Sequence, residues 1–164
     1  MQATQPQRTG ACAAHPAHPR QPSLLAWDCL ARVYGEVQQH AARHLRRFGL
    51  TVAQFDVLAQ VGSAEGLSQQ DLAARLLVTK GNVCGLIDRL ERAGLVCRQP
   101  DPLDHRINRL ALTPAGRRLY TTAVPAHEAI VADAFAALAP AEQRALLALL
   151  RTLDHALSAL PTGE

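Results

Sequence analysis

Signatures of catalysis are what this sequence most lacks. It has no phosphate-binding glycine loop, no nucleophile elbow and no cluster of His, Asp and Cys, which excludes the common enzyme chemistries. Its four cysteines, Cys12, Cys29, Cys84 and Cys97, show neither CxxC nor zinc-ribbon spacing, so free thiols are expected rather than a metal site or a disulfide framework. No run of about 18 apolar residues is present, and no membrane span is expected. Acids are absent from the first 22 residues, which carry four prolines and no apolar core segment. A disordered spacer is expected there. Its AHPAHP repeat makes His15 and His18 a poor metal site. Without a signal-peptide h-region, the chain is expected to remain in the cytoplasm.

What the sequence does carry is concentrated between Ser68 and Arg118. That stretch holds nine Lys/Arg against five Asp/Glu, while the remainder of the chain holds eight against nine, so the overall charge of +3 is localised. Such a focus recruits phosphate backbones. Two helical patterns, Gln69 to Leu76 and Lys80 to Ala93, are separated by a tight break, with Ser68 and Asp71 as a reciprocal cap and Thr79 as the second cap. In the second helix Val83, Leu86, Ile87 and Leu90 form an inward stripe, leaving Lys80, Gly81, Gly85, Asp88, Arg89 and Arg92 outward. Two glycines inside a helix cost roughly 1 kcal/mol each, and close approach to a nucleic-acid groove is one reason to keep them. After Gly94, a helix C-cap, Val96 to Gln99 and Ile107 to Leu112 bracket a Pro-Asp-Pro turn and predict a two-stranded ribbon with Leu110 and Leu112 inward and Arg109 outward. At its tip stand Asp104, His105 and Arg106, with Asp104 expected to orient Arg106 for a narrow minor groove.

The flanking segments read as long amphipathic helices. From Leu24 to about Phe48, Leu30, Val33, Tyr34, Val37, Ala41, Leu45 and Phe48 recur at helical spacing. Gly49 and Leu50 end that helix, and Thr51 with Gln54 caps another bearing Phe55, Leu58 and Val61. Thr113 and Pro114 open a helix running to about Leu138, where Pro125 should produce a bend or irregular turn. Pro140 opens the last helix, with Leu146, Leu149, Leu150, Leu153, Leu157 and Leu160 on one face. One small module cannot cover so much apolar surface, and a single winged helix reads only one half-site. A homodimer on a palindromic operator accounts for both. His40 and His44, one turn apart, with Glu36 a turn earlier, could bridge a metal, but a solvated polar face is the better reading and no metal or other cofactor is expected.

The runs LVTKGNVCGLIDRLERAGLV (Leu77 to Val96) and DPLDHRINRLALTPAGRRL (Asp101 to Leu119) resemble the MarR/SlyA family of bacterial transcription regulators, a resemblance covering about Leu24 to Leu160. It implies a mainly α fold with a small β wing: a winged helix-turn-helix over about 51–112, and dimerisation helices over about 24–48 and 113–160, within a domain at 23–164. Leu103 and His105 replace two of the family's usual wing-tip basic residues, while Arg106 retains the last arginine. Double-stranded DNA is the expected partner. On the helix-turn-helix, Lys80 is suited to guanine and Asn82 to an adenine edge, while Thr79, Ser68, Gln69 and Gln70 are suited to phosphates or base edges. Arg89 and Arg92 either reach phosphate or pair with Asp88 and Glu91. The family commonly acts as a repressor released by a small anionic or phenolic effector in a crevice beside the DNA-binding lobe, and Trp27, His44, Asp56 and Arg98 are the polar or aromatic candidates to line it. Cys29 lies roughly where peroxide-sensing relatives carry a reactive cysteine, although its spacing to Leu50 and Thr51 does not match and the partner tyrosines are missing. Cys84, on the recognition helix, could block DNA binding when oxidised. Thiol-based sensing, or a winged helix that binds protein instead of DNA, are the alternatives.

Overall fold

The computed structural model describes residues 21–104 and 106–160. Cys12, His15, His18 and all but the last two residues of the expected spacer lie outside them, as does His105. The chain divides into two units, Met1–Gly35 and Glu36–Glu164. In the first, the described residues form the opening of α1 (Pro22–Leu45), which starts two residues before the expected Leu24. Proline fits there because the first helical position needs no N–H donor. Leu24, Leu25, Trp27, Leu30, Val33 and Tyr34 along this stretch are all exposed.

In the second unit α1 ends at Leu45, and a single 3-10 turn, Arg46–Phe48, carries the chain to Gly49 at φ +70°. Thr51 and Gln54 then form the expected capping box on α2 (Val52–Ser63), each backbone N–H donating to the other's side chain at 3.0 and 3.2 Å. Ser68 and Asp71 repeat the device on α3 (Gln69–Leu76). Leu77, at φ +52°, turns the chain out of α3, and Thr79 caps α4 (Lys80–Arg92) by accepting from the Asn82 N–H. Reciprocal caps explain why these boundaries fall where the sequence marks them: each satisfies backbone donors that the first helical turn leaves unpaired.

Gly94 (φ +68°) leads into β1 (Val96–Pro100), which pairs antiparallel with β2 (Asn108–Leu112) in a register that sets Val96 against Leu112 and Pro100 against Asn108. The first strand therefore reaches one residue beyond Gln99, and the second begins one residue after Ile107. An isolated bridge between Ser68 and Arg109, with the Leu110 N–H donating to the Leu67 carbonyl at 2.8 Å, stitches the ribbon to the entry of α3. The core is continuous beneath these elements: Leu45, Phe55, Leu58 and Val61 meet Leu72, then Val83, Ile87 and Leu90 of α4, and Val96 and Leu110 of the ribbon, all buried. This is a winged helix-turn-helix.

Two long helices follow, α5 (Pro114–Phe135) and α6 (Pro140–Ser158). Of the bend or irregular turn expected at Pro125, the irregular turn does not form, since α5 runs through it unbroken, and the helix ends three residues short of Leu138. Pro125 itself is exposed, so the carbonyl that loses its helical donor can be met by water. The joint between ribbon and α5 is tight. The Thr113 hydroxyl donates to the Gly94 carbonyl (2.6 Å) and accepts from the Gly116 N–H (3.0 Å), while a Cβ at Gly116 would overlap the Leu95 carbonyl oxygen. Gly116→Ala is expected to cost about 3 kcal/mol through this overpacking, read as a lower urea midpoint; an unchanged midpoint would contradict the close approach.

Candidate nucleic-acid interface

The outward face of α4 is shaped by omission. A Cβ at Gly81 or Gly85 would meet no atom of the described residues within 4 Å, so neither glycine is required by packing among them. Their missing side chains leave the backbone open to something outside it. Asn82 lies exposed between them, with its backbone N–H held by Thr79 and no side-chain hydrogen bond to any of the described residues. Lys80 opens the helix; its side chain lies outside the described residues.

Farther along α4 the acids are gathered in by the ribbon. Arg98, on β1, donates from one guanidinium nitrogen to Asp88 (2.6 Å) and from another to Glu91, and its backbone N–H also donates to Glu91 (2.9 Å). Arg92 donates to the Asp88 carbonyl (3.2 Å), and Arg89 has no acid partner among the described residues. Arg89 instead faces a cleft of about 370 Å³ with Ala53, Val78, Asn82, Gly85 and Leu86. Arg98, one of the candidates for lining an effector crevice, is thereby paired with α4.

The wing tip is built on Asp101, a buried acid that the sequence reading passed over. One carboxylate oxygen accepts the N–H groups of Leu103 (2.7 Å) and Asp104 (3.0 Å), and the other pairs with Arg109, whose guanidinium also donates to the Gly66 carbonyl (2.7 Å). These backbone donors, then Arg109, hold the Asp101 carboxyl below its ordinary range. An aspartate opening an Asp-Pro-Leu-Asp turn was the available signal. Asp104 orients Arg106 as expected, through bonds of 3.0 and 3.2 Å to its guanidinium and 3.0 Å to its backbone N–H. The start of α3 meets the wing, since Ser68, Gln69 and Gln70 line a small cleft with Arg106, Ile107 and Asn108. The structure thus brings Gln69, Gln70 and Arg106 to one edge, while the Ser68 hydroxyl is engaged with Asp71 at 2.7 Å.

The remaining candidates are dispersed. Trp27 and Cys29 are exposed in the first unit. Cys84, half-buried, accepts from the Gln69 side-chain amide at 3.4 Å, and Cys97 lies against the Ala111 carbonyl on the ribbon. His44 lines a cleft of about 320 Å³ with His40, Arg43, Arg47 and Ile130. Asp56 is half-buried. Burial pushes its carboxyl up against the opposing pull of His127, a residue that sequence reasoning missed. Its signal was helical spacing, for His127 lies one turn beyond the buried Ala123. The His127 ring packs on Phe55 (centroids 4.4 Å apart), and both its Nδ1 and the His44 Nε2 are buried without a hydrogen-bond partner among the described residues. No group of three metal-ligating side chains forms among the described residues.

The sequence model of the MarR family matches residues 48–107. The uncharacterized HTH-type transcriptional regulator YkoM of Bacillus subtilis is 35% identical over 129 residues, covering 79% of this chain and 84% of that protein. Among solved structures, Bordetella bronchiseptica BpsR, whose DNA binding is regulated by 6-hydroxynicotinic acid, is 32% identical with a TM-score of 0.72 over 79% of this chain and 98% of its own. The S. aureus MepR–DNA complex gives a TM-score of 0.74 at 26% identity, covering 86% of this chain and 99% of that one.

Burial pushes the His127 imidazole below its ordinary value of 6.5, with His44 acting in the same direction and Asp56 and Glu128 against it. Well above pH 6.5 the ring is neutral in both folded and unfolded chains and contributes no pH dependence. As pH falls below 6.5 the unfolded chain takes up the proton first, so stability declines until the folded value is passed. Urea midpoints measured from pH 8 to 5.5 are expected to fall more for the native chain than for His127→Phe. Parallel curves would remove His127 from that role.

Proposed function

The chain belongs to the MarR family of DNA-binding transcription regulators, and from that premise we propose that it is a homodimeric repressor that binds a palindromic operator and is released by a small anionic effector. It is a regulator and not an enzyme. The observation that carries the operator reading is the shared placement of the open glycine face of α4, the start of α3 and the exposed Arg106 guanidinium around one core. In this reading Asn82 and Lys80 address base edges, Thr79, Ser68, Gln69, Gln70 and Arg89 serve phosphate or base contacts, and Asp104, His105 and Arg106 form the wing contact.

Dimerisation is supported by surface that one chain leaves wet. None of the 19 residues of α6 is buried, and Leu147, Leu149, Leu150, Leu153 and Leu157 are exposed, as is Leu160 just beyond it. Contiguous apolar faces of this size mark interaction surfaces. An anionic effector is supported by the cleft bearing His40, Arg43, His44 and Arg47; Trp27 and Asp56 remain candidates for the same response. The BpsR precedent, a small aromatic acid acting on a relative, points the same way. A cytoplasmic location belongs to this reading, and no helix among the described residues is long and apolar enough to cross a membrane.

Thiol control is the second reading, favoured by the Cys84 contact that joins α4 to Gln69 of α3; Cys29 makes no comparable contact among the described residues. Loss of DNA binding on peroxide treatment that Cys84→Ser abolishes would establish it, and equal sensitivity of both proteins would exclude Cys84.

Binding-site selection from a random duplex pool at physiological salt should return a palindrome whose half-sites lie about one helical turn apart. Arg106→Ala is expected to weaken binding across sequences and to lower the log–log salt slope by about 1. Asn82→Ala should instead relax preference at one position by about 1–3 kcal/mol. Equal, sequence-independent losses for both would overturn this division of roles.

A further inference from the structure

Among its described residues, the wing tip uses most of its polar groups on itself. The Asp101 N–H donates to the Ile107 carbonyl and the Ile107 N–H to the Asp104 carbonyl, both at 2.9 Å, closing the turn. Asp101 takes the N–H groups of Leu103 and Asp104, and Asp104 takes the backbone and guanidinium of Arg106. Both carboxylates are thereby paired with arginine, and neither is left to repel phosphate. Among the described residues, what the turn presents outward is Leu103, 95% exposed, the Arg106 side chain three residues on, 91% exposed, and Ile107, also exposed.

A single exposed leucine on a surface is ordinary. This one differs because its backbone is pinned by a buried carboxylate and it projects from a narrow hairpin next to a guanidinium. Arginine is drawn to the negative potential of a narrow minor groove, and apolar side chains carried into that groove insert between base pairs and partly unstack them. We propose that Leu103 is a minor-groove wedge: the wing enters the groove led by Arg106, and Leu103 packs against a flexible pyrimidine–purine step and opens it. The proposal rests on the operator-binding reading above. It makes the wing a reader of DNA deformability as well as of charge. Leucine at a position where a basic residue would add only charge then gives preference for TA or CA/TG steps over stiff A-tracts.

The test uses the full-length protein and the palindromic duplex returned by binding-site selection, with 2-aminopurine placed at each step of the flanking minor groove. The native protein should raise 2-aminopurine fluorescence at one pyrimidine–purine step in each half-site. Leu103→Ala should abolish that rise and weaken binding on the order of tenfold, while protection of the major groove persists. Leu103→Arg should recover affinity with a salt slope steeper by about 1 and still leave the step stacked. Fluorescence that is unchanged by the native protein, or equally raised by Leu103→Ala, overturns the wedge while leaving operator binding intact. So does a Leu103→Ala defect that appears in self-association and not in DNA binding, which would make the leucine a protein contact. If selection returns no sequence, the operator reading fails, and the wedge falls with it.

Discussion

The edge proposed to face DNA depends on one buried carboxylate. Asp101, 2% exposed, is the only charged residue buried among the described residues. Its oxygens are shared among two backbone donors of the wing turn and Arg109, which in turn reaches across to the Gly66 carbonyl ahead of α3. A buried charge is tolerable only when its bonding capacity is met. Satisfying Asp101 therefore fixes the conformation of the wing tip and its attachment to the helix-turn-helix together. The Ser68–Arg109 bridge and the bond from Leu110 to the Leu67 carbonyl reinforce the same seam. Through it, Arg106 and the start of α3 come to line a common cleft.

The second organising device is electrostatic sorting along α4. Asp88 and Glu91 would burden a helix proposed to approach DNA, and Arg98 neutralises both from the ribbon side. These pairs are partly exposed, so their worth lies less in stability, about 1 kcal/mol or below for screened pairs, than in where they leave charge. Arg89 is left without an acid partner among the described residues, on the same helix as the open backbone around Gly81 and Gly85. Shape and charge on this face agree.

Polarity inside the second unit follows a different pattern. His44, Asp56 and His127 come from α1, α2 and α5 and interact electrostatically, yet two of their buried nitrogens have no partner among the described residues. Unpaired buried polar atoms are costly. Their concentration near the cationic cleft of His40, Arg43 and Arg47 sets this region apart from the apolar core under the helix-turn-helix.

By itself the sequence determined the local elements. Caps at Thr51, Ser68, Thr79 and Thr113, the Val83–Ile87–Leu90 stripe and the positive-φ glycines Gly49 and Gly94 mark boundaries through interactions a few residues apart, and the structure keeps them. The Asp104–Arg106 pair was legible for the same reason. Tertiary structure alone decided the allocation of charge between elements. Arg98 could be nominated for an effector crevice because nothing local shows that Asp88 and Glu91, seven to ten residues earlier, fold back to meet it. Asp101 could not be recognised as buried without Arg109 and Gly66, the latter far back in the chain. His127 acquired significance only when α5 was laid against Phe55. Helix propensity and capping are settled within one or two turns, whereas burial and ion pairing depend on which distant surfaces meet, and a side chain's chemistry follows from the partners that folding brings to it.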